Sequence, residues 1–207
     1  MRAGSLVDDI VTHEKRIWVR KYEKAHAKDD LRNEVFVKAA ARAMAAVTLV
    51  GEVSFRKDAE HLIARVNGPS EGEYGSFVHF LHGVYPGQSA GRREAAYIAG
   101  LQPDLLGESL VWQVLRDCET PDDFLPRACE GASEKALENA FTVLGRISLR
   151  DEERAGIWIK QLLDFDVEGR AMAAFHAAMS LGEESAFCPL GQVLADLFEV
   201  PDLLTPA

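Results

Sequence analysis

Paired histidines, three cysteines, several acidic pairs and one glycine-containing loop are the residues of this chain whose types invite a chemical reading. His79 and His82 stand at i, i+3 and can face one side of a helix. A zinc site needs three or four ligands drawn from two elements, however, and Phe77, Phe80 and Leu81 dominate this segment with no third ligand beside them. His13-Glu14 opens no HExxH motif, because no histidine follows at the required spacing. Nucleotide hydrolysis calls for GxxxxGK[ST], a loop of backbone N–H groups with a lysine. Gly68-Pro69-Ser70-Glu71-Gly72 is acidic, lacks that lysine and reads as a turn. Cys118, Cys129 and Cys188 have no CxxC spacing and lie among acidic or apolar neighbours, which disfavour the thiolate a nucleophile requires. They read as reduced structural thiols. Asp8-Asp9, Asp29-Asp30, Asp122-Asp123 and Glu183-Glu184 fall mostly at helix starts, where the macrodipole favours negative charge. The set yields no catalytic residue, no metal site and no cofactor.

The elements that position these residues are helical almost throughout. Leu6, Ile10 and Ile17 with Val7, Val11 and Trp18 follow the i, i+3, i+4, i+7 rule and predict a helix over 5–26. Asp29 or Asp30 caps a second helix with Val35, Phe36, Ala39, Ala43, Met44, Ala46 and Val47 on its inner face, stopped by Gly51. Ser54 caps a short third helix with Ala59, Leu62, Ile63 and Val66 inward, and Asn67-Gly68-Pro69-Ser70 breaks it. A fourth helix carries Phe77, Phe80, Leu81 and Val84. Ala95–Ala99 has strand character but is brief, so it forms at most one arm of a small ribbon. Gln102-Pro103-Asp104 starts a helix containing Leu105, Leu106, Leu110, Val111, Val114 and Leu115.

From Glu119 the rhythm changes to short helices at 121–130, 133–147, 151–164, 167–180 and 184–199, with caps at Ser133, Asp151 and Asp166 and a stop at Gly182. Units of this length joined by short links suit antiparallel helix pairs stacked as a TPR-like arm. Charge changes at the same place. The chain has 23 Lys+Arg against 33 Asp+Glu, a net −10. Residues 1–100 hold 15 Lys+Arg against 13 Asp+Glu, and residues 101–207 hold 8 against 20. The expected division is 1–118, a winged-helix-like domain, and 119–207, a helical-repeat arm. No apolar run reaches the ~20 residues that span a bilayer, and no signal-peptide core follows Met1, so a cytoplasmic protein with no membrane contact is expected.

Three short helices and a ribbon form the plan of a winged helix, in which one helix can enter the major groove. Lys15, Arg16, Arg20, Lys21, Lys24 and Lys28 supply a basic face, and Arg56-Lys57 open the candidate recognition helix. Asp58 and Glu60 oppose phosphate contact, and only Arg92-Arg93 offer a basic wing. Nucleic acid is therefore disfavoured as a partner, and a DNA-binding transcriptional regulator stands as the alternative to a protein-contact module.

Several motifs point further. His13-Glu14-Lys15-Arg16-Ile17-Trp18 resembles the HE-x-R-x-W segment of bacterial STAND NTPases, the NACHT- and AP-ATPase-like signal-transduction ATPases. Thr48-Leu49-Val50-Gly51 resembles that family's TLxG turn. Tyr85-Pro86-Gly87 and Leu101-Gln102-Pro103-Asp104-Leu105-Leu106-Gly107-Glu108-Ser109-Leu110-Val111 are similar to its YPG … L-x-PD-x-LGE-x-LV winged-helix signature, and residues 141–197 resemble its helical arm. The resemblance covers most of the chain and lacks the P-loop domain. It implies a regulatory module in signal transduction or bacterial defence that packs on a P-loop NTPase domain, in cis or in trans, and homo-oligomerises on activation. It also implies a nucleotide-sensor-like position at Gln102, Pro103 and Asp104, where proline replaces the family's histidine and Asp104 reads foremost as a helix cap. Interface residues expected on this reading are Arg16, Arg20 and Arg56 on the basic face, with Trp18, Trp112 and Trp158 as exposed apolar contacts.

Overall fold

The computed structural model describes residues 3–25, 30–68, 74–87, 96–101, 104–118, 121–164, 166–181 and 189–197. Among them the chain is mainly α, with ten helices and only isolated β-bridges. They are α1 (Ala3–Ala25), α2 (Asp30–Val50), α3 (Arg56–Asn67), α4 (Tyr74–Val84), α5 (Asp104–Asp117), α6 (Pro121–Cys129), α7 (Glu134–Ile147), α8 (Glu152–Asp164), α9 (Val167–Leu181) and α10 (Pro189–Leu197). None is long and apolar enough to cross a membrane. The chain divides into two compact units, Met1–Ala128 and Cys129–Ala207.

The first unit is built around α2, which packs against α1, α3 and α5. Its sequence accounts for that position. Ala40, Ala43, Met44, Ala45, Ala46, Val47 and Leu49 are all fully buried, so the helix is apolar nearly all round and suited to a core. The run of alanines lets three neighbours approach closely. Gly51, at φ 86°, then ends the helix in a conformation that other residues adopt at a cost. The third helix buries Ala59, Leu62, Ile63 and Val66, the face its spacing predicts.

Arg42, a charge in the middle of α2, is well employed. Its guanidinium donates through Nε to the Val66 carbonyl at 2.8 Å and lies 5.1 Å from the Phe124 ring centroid. A cation at the C-terminal end of α3 complements that helix's dipole. The Phe124 contact also fastens α6 to this unit, where Phe124 and Leu125 are fully buried. The first compact unit accordingly runs to Ala128, beyond the change of helix rhythm near 118. With that boundary the first unit carries 17 Lys+Arg against 19 Asp+Glu and the second 6 against 14. The first unit is thus slightly acidic, and the strong acidity belongs to the second.

Among the described residues the expected ribbon appears as two antiparallel bridges that share Ile98, one to Val53 and one to Pro86. Val53 N–H donates to Ile98 O at 2.9 Å, and Ile98 N–H returns a bond to Val53 O at 3.1 Å. Pro86 has no N–H to extend the other ladder. These bridges also correct the start of α3. Val53 is held extended, the helix begins at Arg56, and the cap position is Phe55 (φ −119°, ψ 147°) with no side-chain bond; Ser54 falls one residue too early. Leu105 is 65% exposed, and the buried face of α5 runs through Leu106, Leu110, Val111, Val114 and Leu115.

In the second unit α7 packs chiefly on α9 and α8 on α10, so each helix leans on the one two places along. Stacked helical repeats bury their cores in this way. Three side-chain caps start its helices as the sequence predicts. Ser133 Oγ accepts from Ala136 N at 3.3 Å, Asp151 Oδ1 from Arg154 N at 3.3 Å, and Asp166 Oδ1 from Gly169 N at 3.1 Å. Arg170 is 4% exposed and donates to Leu162 O at 2.8 Å, near the end of α8. Burial lowers its pKa, with Cys129 and Asp166 acting in the opposite direction. Gly182 and the start of the expected 184–199 helix lie outside the described residues.

Candidate functional site

The motif residues singled out in the sequence meet one another inside the first unit. Trp18 is fully buried on α1, and its indole N–H donates to Tyr85 Oη at 2.6 Å. The Tyr85 hydroxyl in turn donates to Glu14 Oε2 at 2.8 Å. The HE-x-R-x-W and YPG segments are therefore joined by a relay from indole to phenol to carboxylate, and the two rings pack edge to face at 6.3 Å. Burial raises the Tyr85 pKa well above the phenol's ordinary 10.0; the Trp18 bond lowers it and the Glu14 bond raises it further. Gly87 of YPG lies so close to Ala96 that an added Cβ would run into the Ala96 carbonyl oxygen. In the same way, a Cβ on Gly107 would sit 2.8 Å from Thr48 Cγ2, which brings the TLxG and PDLLGE segments together. Packing and hydrogen bonding account for the residue types at each of these positions.

The expected interface residues have different fates. Trp18 is 0% and Trp158 3% exposed. Both are core residues and not exposed contacts, because a Trp at helical spacing fits the core face of an amphipathic helix as readily as a surface. Trp112 is half-buried, with the Arg116 guanidinium 4.4 Å from its ring centroid. Arg16 and Arg20 are exposed on α1. Arg56 is exposed on α3 and paired with Glu60 at 2.8 Å, an i, i+4 pair. Asp104 is exposed in the first turn of α5, while Gln102 and Pro103 lie outside the described residues, as do Arg92, Arg93 and Cys188. His82 Nδ1 lies 2.5 Å from Tyr97 O and its ring stacks on Tyr97 at 4.1 Å, whereas His79 is exposed. The two histidines thus diverge, and no metal-holding cluster occurs among the described residues.

Two features escaped the sequence. One is a cleft of about 620 Å³ in the first unit, bounded by α1, α2 and α5. Its lining comes in i, i+4 steps: Lys15 with Val19, Asn33 with Val37 and Ala41, Glu34 with Lys38 and Arg42, Gln113 with Asp117, Val114 with Cys118. Val19, Val37, Ala41 and Val114 form the apolar part of its wall, and charged and amide side chains with Cys118 make up the rest. Lys15 Nζ donates to Gln113 Oε1 at 2.9 Å, and Gln113 Nε2 donates to Asp8 Oδ1 at 3.2 Å, a chain that ties α1 to α5. Burial lowers the Lys15 pKa, only partly offset by Asp117. Asn33 is 7% exposed; its Nδ2 donates to Glu23 Oε1 at 2.8 Å while its Oδ1 has no hydrogen-bond partner. Neutral amides on a helix give no acid–base or ligand pattern to read, so only the i, i+4 spacing hinted at this wall.

The other is a row of large apolar side chains on the outer face of α9. Met172, Phe175 and Met179 are 55%, 49% and 68% exposed at i, i+3, i+7 spacing, behind the buried Ala173, Ala174 and Ala177. No protein-family model, curated protein or solved structure matches the chain.

Proposed function

We propose that the chain is a non-catalytic regulatory module of a STAND-type NTPase, relaying a signal by protein–protein contact between a nucleotide-binding domain and a sensor. The observation that carries this reading is the row of Met172, Phe175 and Met179 on α9. Scattered apolar residues on a surface need no explanation, but a helical stripe of them has the form of a contact face. Methionine is common where a surface must adapt to its partner, because its side chain is unbranched and polarisable. The motif residues give the reading its family, and their mutual packing supplies a stiff body able to move as one. The partner is a P-loop NTPase domain, in cis or in trans, with homo-oligomerisation on activation and a role in bacterial defence.

Gene context and binding together test the proposal. A P-loop domain should be encoded in the same reading frame or beside it, and should bind this chain. Met172→Asp with Met179→Asp should weaken that binding at least tenfold while leaving the fold intact, since each buries a charge in an apolar contact. Absence of a P-loop domain from both places, or unchanged binding by the double variant, would overturn it. The alternative of a DNA-binding regulator has less support, because the outer face of α3 presents Asp58 beside Arg56 and Lys57, and Arg56 is engaged by Glu60.

A further inference from the structure

We infer that the outer face of α9 docks a basic amphipathic helix, an apolar stripe bordered by lysine or arginine. This rests on the regulatory reading of that face and deepens it by naming the element that covers it. The row Met172, Phe175, Met179 continues at one end into Glu168, exposed four residues before Met172. Two more carboxylates run along its α7 side. Glu134 Oε1 lies 3.5 Å from Nδ1 of His176, the neighbour of Phe175, and the Glu134 side chain is 61% exposed. Glu138 Oε1 accepts at 3.5 Å from Oγ of Ser180, the neighbour of Met179. The cations nearest in sequence face elsewhere. Arg170 is 4% exposed and donates to Leu162 O. Lys135 stands on the opposite side of α7 from the buried Leu144, nine residues on.

An apolar row with an acidic rim selects a partner that is apolar at its centre and cationic at its edges. Charge disfavours the other occupants. A second copy docking face to face would set 14 Asp+Glu and 6 Lys+Arg against their like. An anionic bilayer or a nucleic acid would meet the same repulsion. An extended peptide gains its affinity by adding to a strand edge, and the described residues of this unit form helices without a strand. A helix remains. Side chains at i, i+3, i+7 make a ridge that seats in the groove of another helix, and the row from Met172 to Met179 runs for about 10 Å, two helical turns. Lysine or arginine on the partner then meets Glu134, Glu138 and Glu168.

Two synthetic helices of about 18 residues, five turns each, test the assignment by fluorescence anisotropy against the full chain at physiological salt. They share one leucine stripe and differ only in carrying lysine or glutamate at every polar position. The lysine helix should bind at least about tenfold more tightly than the glutamate helix. Met172→Asp with Met179→Asp should weaken the lysine helix about tenfold or more, although it makes the chain more acidic, because two charges enter an apolar contact. Glu134→Lys with Glu138→Lys should weaken it about fivefold, while Glu152→Lys with Glu153→Lys, the same change of charge at the exposed start of α8, should cost less than about twofold. Circular dichroism checks the fold of each variant, and the two helices on the unaltered chain still decide the matter if a variant does not fold. No binding of the lysine helix, equal affinity for both helices, an indifferent Met172/Met179 variant, or equal losses from the two glutamate pairs would overturn the assignment. The regulatory reading fails separately. A P-loop domain that binds through the methionine row while the lysine helix does not would remove only the helix assignment, and lysine-helix binding without any P-loop partner would remove only the regulatory reading.

Discussion

Tyr85 links a buried indole to a carboxylate, and removing its hydroxyl leaves the Trp18 N–H buried with no acceptor. Tyr85→Phe should therefore lower stability by about 1–3 kcal/mol at neutral pH, measured by urea unfolding. The same residue shapes the alkaline limb. Its folded pKa is raised above the unfolded 10.0, so the stability it contributes is fully present below pH 10 and is lost as pH rises through the folded value. The Phe variant should show a shallower decline above pH 10, and an identical slope would contradict the relay. Gly107 offers a second check by close approach, since an added Cβ would sit 2.8 Å from Thr48 Cγ2 and 3.2 Å from Leu101 O. Gly107→Ala should cost about 1–3 kcal/mol. Thr48→Ser deletes Cγ2 and keeps the hydroxyl that donates to Met44 O at 2.8 Å, so the double variant should recover part of the loss. These residues were visible in the sequence as motif letters, yet their work was not. The resemblance singles out Glu14, Trp18 and Tyr85 in two separate segments, but only the fold brings Tyr85 to within 2.6 Å of an indole that lies 67 residues earlier in the chain.

Helices were the most legible level, because their signals are local. The inward face of α3 and the caps at Ser133, Asp151 and Asp166 follow from spacing and side-chain type alone. Ser54 shows where that logic stops. It is a good cap by type, but the Val53–Ile98 bridge, a contact across 45 positions, holds the backbone extended and moves the helix start to Arg56. The cleft was hidden for a related reason. Its walls come from three helices far apart in sequence, and its telling groups are two neutral amides, Asn33 and Gln113. Among the caps, Asp166 is the most direct to test. Asp166→Ala should destabilise the chain by about 1 kcal/mol, as loss of an N-cap does, with faster amide exchange in the first turn of α9. An unchanged exchange pattern there would show that the cap bond contributes nothing.

At the scale of the molecule, charge and boundary must be taken together. Once α6 is assigned to the first unit, the near-neutral and acidic parts are 17 Lys+Arg against 19 Asp+Glu and 6 against 14. Self-repulsion is concentrated in Cys129–Ala207, and salt screens it. Raising ionic strength from a dilute buffer to physiological salt should slow amide exchange in α7–α10 more than in α1–α5, and equal slowing in both would refute that view. The first unit has a different burden, set by the bond between Ser109 Oγ and Asp8 Oδ1, 101 residues apart. On a ribosome adding roughly 5–20 residues per second, α1 leaves the tunnel about 5–20 s before α5, one of the two helices it packs against, exists. Throughout that interval the Asp8 and Lys15 side chains of α1 have no α5 to bond to. The nascent chain should therefore be most open to chaperone capture and to proteolytic nicking within its first hundred residues, a vulnerability that closes only when α5 emerges.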